Sequence, residues 1–136
     1  MINCYYYIES MESLKISHDN ECNHVIKGWG EEVILHNGED FCAKILRFRG
    51  GSKASLHFHL KKRELFRVLS GSFILEYVDG ETGETIKENI SAGANIYIPN
   101  GSPHRLYCLE GGDIFESSTQ DFASDSIRIS PGDSQK

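Results

Sequence analysis

Gly51-Ser52-Lys53-Ala54-Ser55-Leu56-His57-Phe58-His59, with Glu64 behind it, and Pro99-Asn100-Gly101-Ser102-Pro103-His104 together supply three histidines and one carboxylate at spacings that suit a single metal ion. His57 and His59 are two apart, so on a strand both side chains leave the same face with Cα atoms roughly 6–7 Å apart. Neutral imidazole suits zinc, iron, copper and nickel. One carboxylate adds a hard anionic oxygen and leaves coordination positions free for water or substrate. Such a site is usually catalytic or ligand-binding. A closed structural zinc site would more often use cysteines, and Cys4, Cys22, Cys42 and Cys108 form no paired short spacing. A lone His-x-His pair is as easily two exposed or hydrogen-bonded imidazoles. The glycines and proline placed around these histidines are what argue for more.

Those surroundings carry a resemblance. Gly51-x5-His57-x-His59-x4-Glu64-x6-Gly71 matches the first cupin motif at every position. Gly93-x5-Pro99-x-Gly101-x2-His104-x3 resembles the second, but ends in Cys108 where the family usually shows asparagine. The match runs from Gly51 to Cys108. It implies an all-β fold, a cupin-type jelly-roll barrel (double-stranded β-helix), with one divalent metal ion (Zn, Mn, Fe or Ni) held by His57, His59, Glu64 and His104. The cysteine leaves those four positions intact and touches only a supporting one.

The remaining sequence agrees with that fold on its own terms. A chain of 136 residues with 39% hydrophobic content suffices for one core. Turn signals recur at Asn37-Gly38, Gly50-Gly51, Ser70-Gly71, Asp79-Gly80, Thr82-Gly83, Asn100-Gly101 and Gly111-Gly112. The runs between them, rich in Ile, Val, Phe, Tyr and Leu, predict strands near 32–36, 41–48, 54–58, 64–69, 72–78, 84–90, 95–98, 104–109, 114–118 and 126–129. Asn37-Gly38 predicts a tight hairpin using positive φ angles. Glu64, Phe66 and Val68 share one face, as do His104, Leu106 and Cys108, which puts the ligands above an apolar floor. Residues 28–130 are expected to form the barrel, 1–27 an N-terminal arm or edge strand including Tyr5-Tyr6-Tyr7, and 131–136 a C-terminal tail.

No basic start followed by an apolar run suggests a signal peptide, and no stretch approaches a membrane span, so a cytoplasmic protein with no membrane partner is expected. Four cysteines without a disulfide framework fit a reducing compartment. Twenty acidic against fourteen basic residues give a net charge of −6, which argues against nucleic acid. Arg47, Arg49, Lys53, Lys61, Lys62, Arg63 and Arg67 nevertheless gather around the first motif. They read either as an ordinary solvated loop or as a positive mouth that attracts a small anionic substrate. A homodimer, paired through a strand edge that the tyrosine arm could cap, is expected.

A narrower resemblance runs through Gly28-Trp29-Gly30, Lys44-Ile45-Leu46-Arg47, Ser55-Leu56, Lys62, Glu64, Tyr97-Ile98-Pro99, His104-Arg105-Leu106 and Phe115-Glu116. This series is similar to the cupin module of type II mannose-6-phosphate isomerases. Lys62 falls where that family has arginine, and His57 where it commonly has glutamine. Asp125-Ser126-Ile127-Arg128 loosely resembles the family's acidic segment ending in arginine. The resemblance implies aldose–ketose isomerisation of a sugar phosphate, with a divalent ion polarising the carbonyl and its neighbouring hydroxyl, and with Lys62 and Arg128 binding substrate. The catalytic base is not identifiable from the sequence. Three histidines and a glutamate would equally serve a non-haem iron dioxygenase, or a metabolite-binding cupin without turnover.

Overall fold

Buried and less buried side chains alternate along Cys42–Phe48 and Glu64–Val68, the period of strands with one face against a core. The computed structural model describes residues 12–136. Its strands are β1 (Asn23–Lys27), β2 (Gly30–Asn37), β3 (Cys42–Phe48), β4 (Leu56–His59), β5 (Glu64–Val68), β6 (Ser72–Val78), β7 (Thr85–Ser91), β8 (Asn95–Ile98), β9 (His104–Glu110), β10 (Gly112–Ser118) and β11 (Ser126–Ser130). They form two antiparallel sheets, ordered β1-β2-β3-β10-β5-β8 and β11-β4-β9-β6-β7. From β3 to β6, and again from β7 to β11, each successive strand crosses to the opposite sheet. This winding is the jelly roll expected from the sequence.

The facing sheets bury Leu46, Phe48, Phe66, Val68, Ile98 and Ile114 against Phe73, Leu75, Leu106 and Cys108. Trp29 stacks on Phe48 with centroids 4.1 Å apart, and Phe48 meets Phe73 edge-on at 5.4 Å. Full burial of such a side chain contributes about 1.5–3 kcal/mol, so this layer carries the fold independently of the histidines. Cys108 is 2% exposed and belongs to this layer. The position that departs from the motif is therefore a core position here. Among the described residues Cys22, Cys42 and Cys108 are free thiols, and no helix is long and apolar enough to cross a membrane.

Asn23–Lys27 is an edge strand paired only with β2, at the end of the 1–27 segment expected to be an arm or edge strand. As an edge strand it leaves Ile26 77% exposed, which breaks the alternation that would have announced it. The Asn37-Gly38 hairpin exists, but neither residue has positive φ. β2 and β3 are joined instead by a longer loop in which Gly38 N–H donates to the Phe41 carbonyl at 2.9 Å and the Asp40 carboxylate accepts from Phe41 N–H at 2.9 Å. Phe41 thus belongs to the loop, and β3 starts at Cys42. The tyrosine arm and Cys4 lie outside the described residues.

The chain's last turn folds back onto the barrel. Asp133 N–H donates to the Lys53 carbonyl, its carboxylate accepts from Lys53 N–H, and Ser134 Oγ accepts from Gly28 N–H, each at 2.9 Å. A Cβ on Gly28 would lie 2.1 Å from the Asp133 carbonyl oxygen, so only glycine permits this approach.

Candidate metal centre

β4 presents His57 and His59 on the inner face of its sheet, and the start of β9 places His104 directly opposite His57. The Pro99–Ser102 turn delivers His104. Gly101 takes φ +81°, and its N–H donates to the His59 carbonyl at 2.6 Å, tying the two motifs together. Ligand nitrogens of the three imidazoles lie within 4.8 Å of one another. Their ring centroids are 4.6 Å (57–104), 5.0 Å (57–59) and 6.1 Å (59–104) apart.

Each ring is held in the same sense. Nδ1 of His57, His59 and His104 faces the carbonyl oxygen of Ser55 (2.9 Å), Asp125 (3.2 Å) and Ser102 (2.9 Å) respectively. A carbonyl only accepts, so Nδ1 carries the hydrogen and Nε2 turns a lone pair inward. Backbone acceptors of this kind orient metal-binding histidines. Nε2 of His59 and His104, and Oε2 of Glu64, are buried with no hydrogen-bond partner. Glu64 Oε2 is nevertheless 3.2 Å from His104 Nε2, and Oε1 is 3.7 Å from His59 Nε2. Electron-rich atoms at that separation need a cation between them. His57 and His59 are poor proton carriers. Burial, with His104 and His59 alongside, pushes His57 down to about 4, and burial also lowers His59. The donor set fits a divalent metal ion better.

Behind the histidines lies an ionic array that sequence reading missed. Lys62 Nζ lies 3.0 Å from Glu64, 3.3 Å from Glu116 and 3.0 Å from Asp121. Lys44 Nζ lies 3.3 Å from Glu32 and 3.0 Å from Asp121. Burial opposes charge on Lys62, yet the surrounding carboxylates win and raise its pKa. Burial would raise Glu64, but His104 and Lys62 hold it below the usual carboxylate range. Glu116, pushed by burial and by Glu64 against the pull of Lys62 and Lys44, rises to about 7. Two lysines face four carboxylates in this array. A divalent cation at the imidazoles would offset the excess negative charge. The available signal was parity, since Lys44 shares the inward face of β3 with Cys42, Leu46 and Phe48.

The substrate-binding expectations are placed differently by the structure. Lys62 lines the cavity but is 4% exposed and enclosed by carboxylates, so its charge is already matched and it is no free rim cation. Arg128 is exposed on β11 and lines the same cavity. It pairs in register with His57, so the two side chains share one face of the sheet. The basic run around the first motif does not form one patch. Arg47 pairs with Asp19 and Glu31, Arg49 bonds the Gly28 carbonyl, Arg67 reaches the Gly93 carbonyl and Lys61 lies over the Phe122 ring. Strand alternation turns Arg47 and Arg67 away from the interior, which disperses charges that are close in sequence.

Asp125 was another unannounced contributor. Its carboxylate accepts the N–H groups of Leu60, Lys61 and Lys62, all at 3.0 Å, fixing the loop between β4 and β5. The cavity holding the imidazoles measures about 390 Å³ and runs between β1–β2 on one sheet and β4–β11 on the other. That is within the roughly 300–1,000 Å³ of small-molecule sites. A second cavity of about 500 Å³ opens on the β7–β8 side, lined by Leu75, Tyr77, Ile90, Ile96 and Ile98, and it shares His104.

The cupin domain family matches residues 44–114, more than half of this 136-residue chain. The chain belongs to the cupin family. Mannose-1-phosphate guanylyltransferase of Salmonella muenchen is 29% identical over 99 residues, covering 71% of this chain and 20% of that protein. Oxalate decarboxylase OxdC of Bacillus subtilis is 28% identical over 110 residues, covering 78% of this chain and 28% of that protein. A solved structure of the R92A mutant of that decarboxylase shares the fold, with a TM-score of 0.72 and 20% identity over 87% of this chain and 34% of that one. The chain therefore spans less than a third of the length of these curated relatives.

Proposed function

We infer that this cupin is a metal-dependent enzyme acting on a small anionic substrate, and that its reaction is aldose–ketose isomerisation of a sugar phosphate. One observation carries the metal dependence: three imidazoles fixed by backbone carbonyls converge at one point, and Nε2 of His59 and of His104 face Glu64 at 3.7 and 3.2 Å without a hydrogen-bond partner. His57, His59, Glu64 and His104 would hold the ion, which would supply Lewis-acid polarisation of a carbonyl and its adjacent hydroxyl. Lys62 is a positioning residue that orients the Glu64 carboxylate at 3.0 Å. Glu116 lines the cavity and, held near neutrality, is suited to exchange a proton with substrate. Arg128 meets the substrate's charge. The likeness to two mannose-1-phosphate guanylyltransferases, one of them 34% identical over 82 residues, supports the sugar-phosphate assignment.

Incubating metal-loaded protein in heavy water with mannose, fructose and glucose phosphates tests this. The expected result is solvent deuterium at the carbon next to the carbonyl together with the isomeric sugar; no exchange with any of the three overturns the isomerase. A second reading, metal-dependent chemistry on a small carboxylic acid, is supported by the match to oxalate decarboxylase over 78% of the chain. Carbon dioxide release or oxygen uptake on a carboxylic acid panel would favour it. We place the protein in the cytoplasm as a homodimer, to be checked by fractionation and by its mass in solution.

A further inference from the structure

The metal-centre cavity opens between two sheet edges. β1 ends one sheet and β11 ends the other, and residues of both line the cavity. On β1, Val25 and Lys27 share the inward face. On β11, Arg128 begins a row across the inner face of its sheet, Arg128–His57–His104–Tyr77, defined by successive register pairs. Neighbouring strands are about 4.8 Å apart, so the Arg128 backbone lies one strand from that of His57.

Charge singles out these two side chains. Lys44 and Lys62, deeper in the cavity, are matched by carboxylates. Among the described residues, neither Lys27 nor Arg128 has a carboxylate within ion-pair distance, and neither side chain donates a hydrogen bond within the protein. Beside Lys27, Ser134 Oγ accepts from Gly28 N–H, so its own hydrogen is available to the cavity. The cavity on the opposite side is lined by no lysine or arginine. Its lining is mostly apolar, and its one carboxylate or cationic side chain, Glu88, accepts from Tyr77.

We propose that the anionic oxygens of the substrate, from a phosphate or a carboxylate, are held by Lys27 and Arg128 across the slot between β1 and β11, and that substrate enters through that slot. This rests on the reading of the histidine cluster as a metal centre for a small anionic substrate. It adds the second cation, the entry edge and the division of the ligand: charged head at the lip, reacting oxygens at the imidazoles. These two cations at the lip also provide local attraction that the net charge of −6 does not.

The test is a calorimetric titration of metal-loaded protein with fructose 6-phosphate, gluconate and uncharged fructose. The parent should favour a charged compound over fructose by roughly ten- to hundredfold, the gain of one or two charge-assisted hydrogen bonds. Which of the two is preferred identifies the head group. Lys27→Gln and Arg128→Gln should each reduce that preference and together remove it, with metal content unchanged, whereas Glu88→Gln should leave it intact. Lys27→Gln alters only the last residue of an edge strand, so it supports the proposal alone if the double variant fails to fold. A parent that shows no charge preference, or a preference that survives in Lys27→Gln and Arg128→Gln, overturns the proposal. Charge preference that depends on both residues without isomerisation of fructose 6-phosphate upholds the subsite and overturns the isomerase.

Discussion

Replacing Asp125 by alanine should damage both the barrel and the metal centre, although Asp125 is no ligand. Its carboxylate collects three backbone N–H groups at 3.0 Å from Leu60, Lys61 and Lys62. Leu60 and Lys61 are exposed, so their amides can turn to water and each loss costs about 0.5–1 kcal/mol. The Lys62 amide is buried, and leaving it unpaired costs about 1–3 kcal/mol. The variant should therefore lose about 2–5 kcal/mol in urea unfolding of the metal-free protein. The freed loop also carries Lys62 and leads into Glu64, so metal affinity, measured by competition with a chelator, should fall roughly 10–100-fold, as for other groups that orient ligands. The Asp125 carbonyl that holds His59 remains in the variant, which isolates the carboxylate's part. Stability within about 0.5 kcal/mol of the parent, the range of an ordinary surface change, together with unchanged metal affinity, would refute this reasoning.

Lys62→Met should destabilise the protein by about 3–5 kcal/mol in chemical unfolding, because Glu64, Glu116 and Asp121 lose their shared cation in a buried setting. Stability of the metal-free protein should also fall as pH is lowered from 6.5 toward 4. In that window an unfolded His57 takes up a proton that the folded site, with its pKa pushed to about 4, refuses. The full loss from this group is about 3 kcal/mol, complete below the folded pKa and absent above 6.5, and His59 adds to the same slope. A His57→Gln variant should show a flatter profile in thermal unfolding across that range, and an unchanged slope would contradict the assignment.

What could be read from the chain, and what could not, divides along physical lines. His57 and His59 were legible because strand parity fixes their common face, and His104 because a Pro-Gly turn aims it into the next strand. Glu64 followed from the same parity through Phe66 and Val68. Asp125 was not legible as a brace, since its partners lie more than sixty residues away and nothing local marks the contact. Lys44 and Glu116 were legible in principle as charges at inward positions of β3 and β10, but a lone charge in a strand is easily taken for a solvated one. The basic run misled for the opposite reason: nearness in sequence put Arg47 and Arg67 together, while alternation turned them outward and left Lys62 inside. β1 was covered only by the broad expectation of an arm or edge strand over 1–27, because an edge strand with one neighbour needs little apolar patterning.

X-ray absorption spectroscopy of the protein as purified, paired with elemental analysis of the parent and of His104→Ala, shows whether the histidine cluster holds a metal ion. About one divalent ion per chain is expected, bound by three imidazole nitrogens and a carboxylate oxygen at roughly 2.0–2.2 Å for zinc. His104→Ala should lose most of that metal while the barrel stays folded, because the apolar layer from Leu46 to Ile114 does not depend on the histidine. A parent that binds no metal, or a His104→Ala protein that binds it as tightly as the parent, would show that these side chains do not form a metal centre.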